Sequence, residues 1–310
     1  MGRALVFSGQ GAQFVGMGKD LCEAYPECRA LYEQANEVLG FDLAGICFDG
    51  PEEELTKTSN CQPAIFVTSA ACYAALRREI PDLACEGLAG LSLGEWTALH
   101  VAGALPFAET VKLLEARGRF MQQACDARAG GMLSVIGLDT AALETICTQA
   151  GVEISNVNSA EQTVLSGTRE GIEKAESLAK EAGAKRAIPL RVAGAYHSSL
   201  MRSAAEQLDA TLAEIRIGQT DRPVIANVTG EPHGSSAEIR TQMVRQVTSS
   251  VQWLASIQWF KAHGVSEYVE CGPGRVLSGL IKRIDKGAAV HNIQDLQSLK
   301  STVEALRPTA

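Results

Sequence analysis

Gly90-Leu91-Ser92-Leu93-Gly94 stands between a short, mostly apolar stretch at 83–89 and the helical pattern Glu95-Trp96-Thr97-Ala98-Leu99-His100-Val101, which can end near Gly103. Strand, turn and helix follow in that order, and glycines two before and two after the serine permit the sharp turn. This is the Gly-x-Ser-x-Gly nucleophile elbow, which projects a serine hydroxyl into a cleft and turns nearby amides toward it on an α/β scaffold. Ser92 is therefore the candidate nucleophile, and a serine so placed points to acyl transfer.

Working outward, residues 1–124 and 197–310 mix strand patterns at 4–7, 224–227 and 267–270 with long helical patterns, which reads as an α/β-hydrolase-like core. Met1-Gly2-Arg3-Ala4-Leu5-Val6 opens its first strand. Residues 125–196 carry a period of their own: strands at 132–136, 152–157, 163–166 and 186–190, with helices at 140–150 and 169–182. The order βαββαβ is that of a ferredoxin-like subdomain of roughly 60–70 residues. In its second helix Thr168 is an N-cap, Ile172, Ala175, Leu178, Ala179 and Ala182 form one apolar stripe, Glu176 pairs with Lys180, and Gly183 terminates. A small domain inserted into a larger one leaves a cleft between them, a favoured place for a ligand.

At 310 residues the chain can bury one large core plus a smaller subdomain, since single cores stop growing near ~250–300 residues. With 46% hydrophobic and 21% charged residues the composition is that of a soluble globular protein. No apolar stretch approaches the ~18 residues of a membrane span, and the first residues lack the apolar run of a secretory signal. Nine cysteines without paired ligand spacing fit reduced thiols in a cytoplasm, with no metal site. A net charge of −8 disfavours nonspecific binding to nucleic acid or anionic membranes. The local basic clusters Lys185-Arg186 with Arg191, and Lys282-Arg283 near Arg275, read as solvated surface.

A serine hydroxyl needs a base. Of the five histidines, His100 lies in the helix after the elbow, His233 in a Gly-Glu-Pro-His-Gly turn, His263 at a helix end and His291 near the tail; each reads as structural. His197, in Gly194-Ala195-Tyr196-His197, falls where the inserted domain returns to the core, and so at the cleft. Gly9-Gln10-Gly11-Ala12-Gln13 follows the first strand but is not a dinucleotide loop, because the third glycine would fall at Phe14. Its better use is to aim amides at a developing oxyanion, worth ~3–4 kcal/mol per donor. Arg117, in a largely apolar helix, reads by itself as a surface arginine.

Taken together, Phe7-Ser8-Gly9-Gln10-Gly11-Ala12-Gln13, Gly90-Leu91-Ser92-Leu93-Gly94-Glu95, Arg117-Gly118 with Met121-Gln122, Asn158-Ser159 with Gln162, Gly194-Ala195-Tyr196-His197, Asn227-Val228, Val251-Gln252-Trp253 and Glu270-Cys271-Gly272-Pro273-Gly274 resemble the malonyl-CoA:acyl carrier protein transacylases, nearly end to end. The resemblance implies Ser92 as nucleophile, His197 as base and the backbone amides of Gln10 and Leu93 as oxyanion hole. It further implies that a Gln252 carbonyl orients the imidazole and that Arg117 pairs with the malonyl carboxylate. Malonyl-CoA and acyl carrier protein are then the partners, with no cofactor, in a monomer serving fatty acid synthesis. A buried carboxylate left unpaired costs several kcal/mol, and a planar guanidinium can grip it with two bonds. Two positions depart from the family pattern, which usually has histidine where Leu91 stands and proline where Ser8 stands. Tyr196 resembles the bulky aromatic of malonyl-selective members, whose ring crowds an α-methyl group.

Three other readings compete. A serine esterase or thioesterase of the α/β-hydrolase type shares the elbow, transfers the acyl group to water, and would draw its third residue from Asp139 or Glu173. A carrier-protein docking subunit would keep the fold without turnover. An acyltransferase of polyketide synthesis would keep the mechanism with another acyl group.

Overall fold

The computed structural model describes residues 2–307; Met1 and residues 308–310 lie outside the described residues, so the expected first strand is seen from Gly2. Eight strands run β1 Gly2–Phe7, β2 Gly87–Gly90, β3 Gly130–Ile136, β4 Glu153–Ser159, β5 Gln162–Thr168, β6 Arg186–Pro189, β7 Val265–Cys271 and β8 Ala289–Ile293. They form two sheets, β2-β1-β7-β8 and β4-β5-β3-β6.

The first sheet is parallel throughout. A parallel strand covered on both faces reads as a continuous apolar run, and β1 has one from Ala4 to Phe7, all buried. Ala4 and Val6 join a cluster with Trp253, Ile257, Phe260 and Leu277. Leu5 and Phe7 face the larger cluster under the helices Thr58–Glu79, Leu93–Val101 and Phe107–Ala127. The protein thus has the expected α/β core.

The second sheet is antiparallel at every pairing. Numbered within its own βαββαβ unit, its strand order is 4-1-3-2, the ferredoxin-like arrangement. The helices Thr140–Ala150 and Arg169–Glu181 cover it through Leu133, Val135, Leu143, Ile146, Leu165, Ile172, Ala175 and Ala179. The Thr168 hydroxyl caps the second helix by accepting from the Gly171 amide at 3.1 Å, and Gly183 leaves it at φ 83°. Leu178 is only half-buried and Ala182 is exposed, so the apolar stripe is narrower than its sequence suggests.

One expected strand is not formed. Residues 224–227 make single bridges, Leu88 to Val224 and Ile225 to Pro232. The chain pairs with β2 through the Pro223 carbonyl and Ile225 amide, then turns back as the Ala226 amide bonds the Glu231 carbonyl. The second sheet meets the core where the Val251 amide, just before the helix Trp253–Ala262, bonds the Ser155 carbonyl and the Val157 amide bonds the Val251 carbonyl, at 2.8 and 2.9 Å. This pairing fixes the segment 246–252 beside β4. Among the described residues, no helix is long and apolar enough to cross a membrane.

Candidate active site

The elbow forms at the end of β2. A Cβ on Gly90 would lie 2.0 Å from the Gly94 carbonyl carbon, and one on Gly94 would lie 2.1 Å from the Phe7 carbonyl oxygen, so both positions need glycine for close approach. Ser92 itself has φ 55°, and among the described residues only His197, at φ 57°, is another non-glycine with positive φ. Strain of this kind persists only where surrounding bonds over-determine it. Asn227, buried, supplies them: its Oδ1 accepts the Ser92 amide at 2.6 Å and its Nδ2 donates to the Gly90 carbonyl at 2.7 Å.

His197 and Ser92 meet across the cleft with Nε2 2.8 Å from Oγ. Nδ1 lies 2.7 Å from the Gln246 carbonyl, which can only accept, so Nδ1 carries the proton and Nε2 offers a lone pair to the serine. Burial first, and then the Arg117 charge, lower the imidazole pKa to about 4; carbonyls of Gln246 and Ser249 oppose the shift. The base is therefore neutral at ordinary pH.

Arg117 is not on the surface. It is 1% exposed and lies in the same site, with Nη2 3.2 Å from Ser92 Oγ and 3.0 Å from Gln246 Oε1, and Nη1 2.7 Å from Gln62 Oε1. Close packing of helices puts it there, since a Cβ on Gly118 would lie 2.3 Å from the Thr58 carbonyl. Its contacts are neutral oxygens, Nε has no partner among the described residues, and burial lowers its pKa to about 10. A guanidinium so held is open to a carboxylate from outside the protein.

The Gln252 carbonyl does not orient His197. It starts its own helix, Trp253–Ala262, accepting the Ser256 amide and hydroxyl at 3.0 Å, and is spent there. The orienting carbonyl is that of Gln246, at the end of the helix Ser236–Gln246. The amides of Gln10 and Leu93 have no acceptor among the described residues. Leu93 opens a helix, and the Gly9 backbone lies so close to the elbow that a Cβ there would be 2.5 Å from the Leu91 carbonyl. Asp139 caps the helix after it by accepting the Ala142 amide at 2.8 Å, and Glu173 is exposed, so neither serves as a third residue.

Three residues were not foreseen for this site. Gln62 is fully buried in an otherwise apolar stretch, the one local hint of a role. Gln246, also fully buried, donates from Nε2 to the Ser92 carbonyl at 2.9 Å and to Glu95 Oε2 at 2.6 Å. His233, expected to be only structural, binds Glu95 Oε1 through Nε2 at 2.7 Å. The remaining histidines do serve the fold: His100 bonds the Leu105 carbonyl, His263 stacks on Trp259 and His291 meets Glu267. Ser8 donates to the Pro273 carbonyl at 2.9 Å, which shows how a hydroxyl is accommodated at that position.

Comparison with known proteins agrees with this geometry. The family model described as "Acyl transferase domain" matches residues 4–293. A malonyl CoA-acyl carrier protein transacylase of Bacillus subtilis is 40% identical, covering 98% of this chain and 97% of that one. The malonyl CoA-acyl carrier protein transacylase structure from Coxiella burnetii superposes with a TM-score of 0.95 at 36% identity, covering 99% of this chain and 98% of that one. A structure of a type II PKS acyl-carrier protein in complex with its malonyl-transacylase matches equally, with a TM-score of 0.95 at 38% identity over 98% of this chain and 100% of that one. With an elbow serine, its histidine base and a buried arginine in one cleft, the chain belongs to the acyl transferase domain family, among the malonyl CoA-acyl carrier protein transacylases.

Proposed function

We propose that this enzyme moves a malonyl group from malonyl-CoA to the phosphopantetheine thiol of acyl carrier protein by way of a malonyl ester on Ser92. The observation that carries the reading is Arg117 Nη2 at 3.2 Å from Ser92 Oγ, beside the His197 bond. One end of a short diacid meets the nucleophile while its free carboxylate meets the buried guanidinium of Arg117.

Ser92 Oγ attacks the thioester carbonyl as its proton passes to His197 Nε2. The C–S bond breaks, and the imidazolium returns that proton to the departing thiolate. In the second half the carrier thiol gives its proton to the same nitrogen, its sulfur attacks the ester, and Oγ leaves and recovers the proton. The amides of Gln10 and Leu93 receive the oxyanion in both halves. An imidazolium beside Arg117 is costly until the malonyl carboxylate offsets the guanidinium, so an acid-bearing substrate strengthens its own base. Side chains and backbone supply every step, without a cofactor.

Malonyl is favoured over α-branched units by Tyr196, which is buried with its hydroxyl 3.1 Å from Thr58 Oγ1 and so holds its ring in place. Leu91 presents an apolar wall next to the nucleophile. The malonylated carrier so formed serves fatty acid synthesis, in the cytoplasm. Mixing with malonyl-CoA should add one malonyl mass at Ser92, and the adduct should vanish in Ser92→Ala. Transfer to holo carrier protein faster than release of free malonate separates this reading from a thioesterase.

A further inference from the structure

Glu95 and His233 form a buried pair that the chemistry above does not use, with side chains 1% and 0% exposed. Glu95 Oε1 meets His233 Nε2 at 2.7 Å, and Oε2 accepts Gln246 Nε2 at 2.6 Å. Gln246 then reaches forward: Nε2 also donates to the Ser92 carbonyl and Oε1 accepts Arg117 Nη2 at 3.0 Å. A carboxylate accepts only, as does the Ser92 carbonyl, so together they turn the NH2 of Gln246 inward and its carbonyl oxygen toward the guanidinium, with the shorter bond to Glu95. His233 Nδ1 has no partner among the described residues, so the imidazole contributes one bond, a donation from Nε2 to Glu95.

We infer that Glu95, held by His233, is a positioning residue for acid-bearing acyl groups: it fixes the polarity of the Gln246 amide and so the direction in which Arg117 presents its charge. This rests on the reading of Arg117 as the carboxylate clamp. Were the amide reversed, its NH2 would face Arg117, donor against donor, and the guanidinium would swing from Ser92. The His197 bond would survive, because it uses the Gln246 backbone carbonyl rather than the side chain. The effect is thus directed at the acyl carboxylate and not at the nucleophile.

Glu95→Gln tests this. While His233 keeps its proton on Nε2, an amide at 95 cannot accept from both His233 and Gln246, and turning its oxygen to the imidazole sets its NH2 against that of Gln246, which favours the reversed amide. Quenched mass spectrometry with malonyl-CoA and acetyl-CoA as probes reads the malonyl-to-acetyl ratio of Ser92 acylation, which should fall about 10- to 100-fold, the loss expected when bonds to charged groups are broken. In the double variant Glu95→Gln, His233→Gln, the new side chain at 233 can accept from the amide at 95 and free its oxygen for Gln246, and most of the ratio should return. His233→Leu, which leaves Glu95 in place without its partner, should lower the ratio in the same direction and serves if Glu95→Gln does not fold. An unchanged ratio in Glu95→Gln and His233→Leu, or a loss that the double variant fails to restore, overturns the inference. Arg117→Ala run alongside separates the two claims: if that variant leaves the ratio unchanged, it is the clamp that fails.

Discussion

Replacing Arg117 by alanine removes the guanidinium beside Ser92 and should act in two separable ways. The guanidinium is 1% exposed, and a substrate carboxylate bound against it is withdrawn from water with it. Removing one partner of a buried pair costs ~3–5 kcal/mol, so malonylation of Ser92 should fall by roughly 10²- to 10³-fold or more in kcat/KM. Acetyl-CoA brings no carboxylate and loses only the Nη2 bond to Oγ, so the malonyl-to-acetyl ratio isolates the clamp. The second consequence concerns pH. Burial is the larger cause of the depressed His197 pKa and the Arg117 charge the next, so without that charge the pKa rises from about 4 toward, but not to, its ordinary 6.5. The acid limb of the rate profile should therefore move up in pH. Rapid-quench mass spectrometry with both acyl-CoAs between pH 4 and 8 measures both effects. Equal losses for the two acyl groups, or an acid limb that stays in place, would refute the reasoning.

Wild-type acylation should hold its rate as pH falls until close to pH 4, since His197 stays neutral above that value. The same depressed pKa makes the unfolded chain bind the proton first: stability is full above about pH 6.5 and declines as pH falls toward 4, by about 3 kcal/mol from this residue. Urea unfolding of wild type against His197→Gln at pH 7 and 5 should show that slope reduced in the variant. Gly90→Ala places a Cβ 2.0 Å from the Gly94 carbonyl carbon, so it should destabilise by ~1–3 kcal/mol or more and disable Ser92 even where the chain still folds. Asn227→Ala leaves the Ser92 amide and Gly90 carbonyl without partners, at ~1–3 kcal/mol each, and acylation should slow while His197 keeps its depressed pKa. Retention of the full rate in Asn227→Ala would show that the elbow holds its strain without that clamp.

Much of the fold was legible because it is written in short-range spacing. The elbow needs two glycines at fixed offsets, and β3 through β6 with their helices follow from period and caps such as Thr168. The segment 224–227 misled because alternating apolar residues suit any extended chain, whereas a strand needs neighbours along its length. Arg117 reads as surface until the Gly118 contact draws its helix against Thr58–Glu79.

By itself the sequence determined the turn that presents Ser92, the order of elements, and the kinds of group available for acyl exchange. Those features depend on backbone dihedrals and periodicity, which act over a few residues. Only the tertiary structure decided which groups meet. Ser92 and His197 are separated by 105 positions, Glu95 and His233 by 138, and the Ser92 carbonyl and Gln246 by 154. The choice of Gln246 over Gln252 came down to a carbonyl at a helix end that otherwise takes only a long 3.5 Å bond from the Ser249 amide, against one that takes two 3.0 Å bonds at a helix start. Hydrogen-bond valence, once the backbone has taken its share, is settled only after the chain has packed.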